Sequence, residues 1–311
     1  MFNDNHQLNA TLGQELSNSA SEGYSISGSR YPVSFTPERA FAMMNQYLQS
    51  TTIYYSLGSS AGTPGRMLSY FGRVNYSLFD KYLFTATFRA DGSSRFAPGN
   101  RYGYFPAAAV AWRMSDESFL KNVKWLDNLK MRASYGEVGN DGISASLWKP
   151  IWNSDGLRQF SINETQQSSY SPASTLANPN LKWETTITRN VGFDFSVLNS
   201  RLSGTVELYK NSTRDLLMLT SIDASLGYSG MYDNIGSTSN RGIELSLNGD
   251  IIRKNNFNLN ANFNINFNRG RVDELAPGVS GLYKTQWGST MTQPNTGDYI
   301  LQVGKPVGQV R

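Results

Sequence analysis

The sequence predicts an all-β protein, about nine strands of an antiparallel transmembrane β-barrel. Three observations predict it: hydropathy alternates with period two, connections alternate between short and long, and charge is scarce while aromatics are plentiful. The cleanest alternation runs from Phe257 to Asn268, where Phe257, Leu259, Ala261, Phe263, Ile265 and Phe267 take one face and an asparagine occupies every intervening position. Charged residues are 17% of the 311, below the roughly one quarter usual in soluble domains, and aromatics reach 13%.

Taken in order, Leu8, Ala10 and Leu12 begin the first strand. Tyr70, Val74, Tyr76 and Leu78 oppose Arg73, Asn75 and Ser77, and Tyr82, Phe84, Ala86 and Phe88 oppose Thr85, Thr87 and Arg89. Tyr104 to Trp112 gives a fourth strand, and Leu129, Met131, Ala133 and Tyr135 alternate with Lys130, Arg132 and Ser134 in a fifth. Val191, Phe193 and Phe195 oppose Asn190 and Asp194; Leu202, Val206 and Leu208 oppose Ser203, Thr205 and Glu207; Ile243, Leu245 and Leu247 oppose Glu244, Ser246 and Asn248. The asparagine strand completes the set.

Short turns fall at Phe79 to Lys81, Leu198 to Arg201 and Arg253 to Asn256, with a longer one from Ser115 to Asn128. Between them lie 18–66, 91–101, 137–182, 212–241 and everything after Arg269, all rich in Ser, Gly, Asn and Thr. Lipid offers no partner to a backbone N–H, so a spanning sheet must close on itself, with apolar side chains outward and polar ones towards water. A soluble β-sandwich or an adhesin-like array also alternates, but has no reason to gather its long connections at one end.

Composition removes several chemistries. There is no cysteine, hence no disulfide or thiolate site, and His6 is the only histidine, which excludes paired-histidine catalysis and a HExxH zinc site. The net charge of +4 is spread along the chain without a local basic run, so no nucleic-acid partner is expected. No apolar run approaches the ~18 residues of a membrane helix, and the first residues lack a secretory signal. No cofactor is expected.

The candidate functional residues follow from the faces. Arg73, Arg89, Lys130, Arg132, Glu184, Asp194, Glu207 and Glu244 fall on the polar face and are expected to point into the lumen, pairing with one another or lining a substrate path. In the long connections, Trp148, Trp152, Tyr170, Tyr228, Tyr232 and Trp287 offer flat rings for stacking on a ligand. Tyr70, Tyr82, Tyr104, Trp112, Tyr135 and Trp183 sit near strand ends, as interfacial girdle residues do. The DGSSR run at Asp91 to Arg95 reads as a side-chain-bonded loop, because no helix start or P-loop lysine follows it. Thr36 to Leu48 predicts a short helix with Thr36 as cap and Pro37 in its first turn, Met43 and Met44 packing.

Six blocks carry a resemblance: SYFGRVNYS (69–77), DKYLFTATFRADGSSRFAPGNRYGYFPAAAVAWRMSDESFL (80–120), LKMRASYGEVGN (129–140), NPNLKWETTITRNVGFDFSVLNSRLSGTVELYKNSTRDLL (178–217), NIGSTSNRGIELSL (234–247) and VGKPVG (303–308). In this order they resemble the SusC/RagA-like TonB-linked outer-membrane transporters of Bacteroidota. The resemblance implies a barrel of roughly 22 strands closed by a plug, of which residues 1–311 supply an internal part without the plug, the TonB-contacting segment or the closing strands. It further implies energised import of oligosaccharides or peptides rather than catalysis, with the TonB complex and a SusD-like surface lipoprotein as partners and outer-membrane lipid around the strands. A non-energised porin or receptor barrel is the alternative, and a soluble sugar-binding β protein a third.

Overall fold

A computed structural model describes residues 5–28, 31, 34–43, 55–163, 165–254, 256–276, 281–284, 299–307 and 309–310. Nine strands hydrogen-bond into one sheet in chain order: β1 His6–Ser19, β2 Gly65–Leu78, β3 Tyr82–Ser93, β4 Tyr102–Arg113, β5 Leu126–Asn140, β6 Glu184–Val197, β7 Leu202–Arg214, β8 Ser237–Lys254 and β9 Phe257–Glu274. From β2 to β9 every pair is antiparallel. The strands are those the alternation predicts. Connections 79–81, 114–125, 198–201 and 255–256 lie at one end, and 94–101, 141–183 and 215–236 at the other.

The strands reach further into the long connections than the alternation does. β7 continues to Arg214, β8 begins at Ser237 and β9 runs to Glu274. Beyond the membrane both faces of a strand are wet, so the apolar-polar contrast fades while the backbone ladder still gains from pairing.

One face of the sheet is apolar and yet exposed. Val191 lies opposite Leu208, Leu208 opposite Ile243 and Ile243 opposite Phe267, and all four side chains are open. An unbroken exposed apolar band over adjacent strands is what hydrocarbon covers and water does not.

The short turns use left-handed backbone. Phe79 and Asp80 both have φ 54°, and Leu198, Asn199 and Ser200 have φ 57–59°. Positive φ at the centre of a tight hairpin matches the right-handed twist of the flanking strands.

At the same end, Glu117 ties the 114–125 connection to the sheet. Its Oε1 accepts from the Tyr82 hydroxyl at 2.7 Å and the Trp112 indole at 3.2 Å, and its Oε2 meets Lys81 Nζ at 3.2 Å. The Tyr82 bond first, then those from Trp112 and Lys81, hold the Glu117 carboxyl below its ordinary value. A carboxyl more acidic folded than unfolded adds stability at neutral pH and loses it as pH falls through the depressed value. Glu117→Gln is therefore expected to lower the melting temperature of the intact protein at neutral pH, the gap to wild type closing on acidification; a gap that persists in acid contradicts this role.

The buried core is small and sits at the base of the long connections: Phe96, Phe105, Ile143, Leu181 and Trp183, with Met67, Leu147, Leu217 and Tyr232 against it. This corrects the girdle expectation for Trp183. It is only 7% exposed, 5.5 Å from Phe96 and 5.4 Å from Phe105 between ring centroids, and its indole N–H donates to the Arg101 carbonyl at 2.8 Å. It immediately precedes β6, in the loop-base core rather than on the lipid-facing surface. Tyr70, Tyr104 and Tyr135 are exposed, and Tyr82 stacks on Trp112 at 6.4 Å.

Residues 17–66 form a second compact unit. It pairs Glu22–Gly28 antiparallel with Tyr55–Ala61 and contains a helix, Pro37–Ala42, capped by Thr36, whose Oγ1 accepts from the Arg39 N–H at 3.3 Å. Met43 ends this helix half-buried, while Met44 to Leu48 lie outside the described residues.

Candidate functional site

The polar face of the sheet holds every strand charge singled out above. Strand register puts Arg73 beside Thr87, Lys130 beside Asp194, Arg132 beside Gly192 and Glu207 beside Glu244. Arg132 is central: its Nη2 lies 2.5 Å from Glu207 Oε2 and its Nε 3.3 Å from Asp194 Oδ1, whose other oxygen takes Lys130 Nζ at 2.9 Å. Gly192 makes this possible. A Cβ there would stand 2.9 Å from the Arg132 guanidinium carbon, so glycine lets the guanidinium lie close across β6 towards β7, where a larger residue would make it shift.

Glu207 and Glu244 face one another across β7 and β8, an unfavourable pairing of like charges. Arg132 relieves it on one side, and Asn266 Nδ2 donates to Glu244 Oε1 at 3.3 Å on the other. The asparagine face of β9 thus supplies a neutral donor where a further charge would complicate the balance.

Towards the long connections, Arg89 links three strands. Its Nε meets Asp91 at 2.6 Å, and its Nη2 meets Glu15 and the Ser69 hydroxyl at 3.0 Å each. Glu184 accepts from Asn140 Nδ2 at 3.2 Å and from the Leu217 N–H at 3.1 Å. Arg73 is exposed and, among the described residues, has no carboxylate within salt-bridge distance.

Asn190, Asn211 and Asn240 each bury a side-chain oxygen that lacks a hydrogen-bond donor. Asn211 and Asn240 are direct partners across β7 and β8. Buried oxygens of this kind are acceptors ready for donors from water or from another surface. The charge-based reading missed Asn211 and Asn240; extending the period-two register of β7 and β8 into their loop ends finds them.

The DGSSR segment is a lock at the loop base. Ser93 Oγ donates to Asp141 Oδ2 at 2.7 Å and accepts from the Arg95 N–H at 3.2 Å, while Arg95 Nη1 donates to the Asp141 carbonyl at 2.9 Å. Two asparagines that the sequence did not single out fasten the next loops. Asn178 Nδ2 donates to the Tyr232 carbonyl at 2.9 Å, and Asn234 Nδ2 donates to the carbonyls of Lys182 and Asp215 at 2.8 and 3.0 Å. Connections 141–183 and 215–236 also share a ladder, Thr175–Leu176 pairing parallel with Gly230–Asn234.

The loop aromatics divide. Trp152 and Tyr170 lie on the paired strands Trp152–Ile162 and Thr165–Pro172, diagonal neighbours on one face, 63% and 66% exposed. Trp148 is half-buried beneath Lys149, whose Nζ is 5.8 Å from the ring centre, and Tyr228 is half-buried. Tyr232 packs against the loop-base core. Trp287 lies outside the described residues.

A family model described as TonB dependent receptor-like, beta-barrel, matches residues 2–305. TonB-dependent receptor SusC of Bacteroides thetaiotaomicron is 37% identical over 236 residues, 75% of this chain and 23% of SusC. TonB-dependent receptor P39 of Formosa agariphila is 32% identical over 317 aligned residues, 99% of this chain and 27% of P39. The structure of the RagAB peptide transporter superposes with a TM-score of 0.75 at 26% identity, covering 98% of this chain and 31% of that one. The outer-membrane transporter YddB of Escherichia coli, at 11% identity and a TM-score of 0.58, with 99% of this chain and 36% of its own covered, shares the fold. The chain spans about a quarter of the length of the curated relatives it matches.

Proposed function

The chain belongs to the TonB-dependent receptor β-barrel family of the outer membrane, and from that premise we propose that it is the wall of an energised importer, acting by transport rather than catalysis. One observation carries the reading: a sheet whose exposed face is apolar while its other face holds the Lys130–Asp194–Arg132–Glu207 network. Charges balanced on one side of a lipid-facing wall form a polar path. The buried asparagine oxygens fit a plug seated against that path. The cargo in this reading is an oligosaccharide or a peptide, delivered beneath a SusD-like lipoprotein and released by work from the TonB complex. In this reading the exposed rings of Trp152 and Tyr170 stack on it.

Uptake by cells carrying the intact protein tests this. Import of fluorescent oligosaccharides and peptides is expected to stop when a protonophore collapses the inner-membrane proton gradient. Uptake that continues unchanged favours the non-energised porin or receptor barrel and rejects the TonB reading.

A further inference from the structure

Four cations stand in one cross-strand row on the outward face, at the long-connection end of the apolar band. Arg189 of β6 lies opposite Lys210 of β7, Lys210 opposite Arg241 of β8, and Arg241 opposite Arg269 of β9. All four are exposed. Two residues nearer the short turns, the same registers carry Val191, Leu208, Ile243 and Phe267, so the row sits on the upper edge of the hydrocarbon-facing surface. With neighbouring strands about 4.8 Å apart, it spans roughly 14 Å.

Like charges facing across a ladder repel, and this row has little internal relief. Among the described residues, Lys210, Arg241 and Arg269 have no carboxylate within salt-bridge distance, and the nearby Asp273 is engaged by Arg271 at 3.4 Å. Arg189 rests over the Tyr135 ring at 5.6 Å.

Two depressions adjoin the row. Ala108 and Ala133 floor an apolar groove of about 570 Å³ walled by Val110, Val191 and Leu208, with Tyr135, Arg189 and Lys210 at its rim. Lys210, Arg241, Arg269 and Arg271 line a second cavity of about 290 Å³, bordered by Gly304 and Pro306. An apolar slot beneath a cationic rim has the chemistry of an acyl chain beneath a phosphate.

We propose that this row binds the phosphorylated headgroup of a lipid in the outer leaflet, one acyl chain lying in the alanine-floored groove. Guanidinium groups grip phosphate through paired N–H donors. One phosphate reaches only neighbouring members of so long a row, so the geometry selects a headgroup with more than one. The contact sits outside the polar path and does not depend on what is transported.

The test uses the intact protein in a neutral detergent, titrated with bisphosphorylated lipid A and followed by native mass spectrometry. Dephosphorylated lipid A and inorganic phosphate are the comparators. Lipid A is expected to bind, and the combined K210Q, R241Q and R269Q substitutions to weaken it by roughly tenfold for each charge-assisted hydrogen bond lost. The charge-preserving K210R, R241K and R269K set retains most of the affinity. Heat-modifiable migration reports whether each variant is folded; if the neutralised triple variant does not fold, R269Q alone is measured, with about a tenfold loss expected. Undiminished binding by the neutralised variant, equal binding of the dephosphorylated lipid, or equal retention of inorganic phosphate each overturns the proposal.

Discussion

Trp183→Ala is expected to loosen the loop base by about 3–5 kcal/mol, the usual cost of removing a large buried aromatic. The indole touches Phe96 and Phe105 and donates to the Arg101 carbonyl, so the substitution opens a cavity and removes one of the two hydrogen bonds to that carbonyl, the Ser93 N–H keeping the other. The damage should stay local, because nine strands hold their ladder without Trp183. Hydrogen exchange in the intact protein is the measurement: amides in 94–101 and 176–183 lose protection while those of β7 and β8 keep it. Trp183→Phe should recover part of the packing but not the indole bond. Uniform loss across the sheet, or no loss at the loop base, contradicts a core that serves the loops.

Arg132→Met is expected to cost about 1.5–3 kcal/mol, the range for hydrogen bonds to charged groups, with the lower end favoured because the pair is about a third exposed on the arginine side. It leaves Glu207 facing Glu244 without an intervening cation, whereas Asp194 keeps Lys130. Adding Glu207→Gln to Arg132→Met should return much of the loss. A double-mutant cycle on the intact protein measures the coupling, and strictly additive effects would show that Arg132 and Glu207 do not act as a pair. Gly192→Ala should behave as a milder Arg132 variant, since its methyl occupies the space the guanidinium crosses.

Much of the fold could be read from residues because one physical cause, lipid against water, writes the same period on every strand. Phe257 to Asn268 states it most clearly, and the assignment of Arg132, Asp194 and Glu207 to one face follows from counting by twos. Where that cause weakens, the reading stops. The loop ends of β7 and β8 are wet on both faces, so Asn211 and Asn240 carry no contrast to mark them. Trp183 has the residue type and position of a girdle residue, and only its contacts with Phe96, Phe105 and the Arg101 carbonyl give it a different fate. The cationic row was hidden for another reason. Arg189, Lys210, Arg241 and Arg269 are scattered along the chain as single charges, and pairing alone brings them together.

The contrast between the two kinds of connection also bears on how such a wall can diversify. At 255–256 the hairpin is so short that one inserted residue would shift β8 against β9 and turn every following side chain to the wrong medium. At 141–183 the flanking strands are already paired beyond the apolar band, so added length leaves the membrane register untouched. Doubling such a loop costs only about 0.6 kcal/mol in closure entropy. Variation is therefore cheap on the side that meets new molecules and close to forbidden on the other, and descendants of this sheet can change what they recognise while keeping how they stand in lipid.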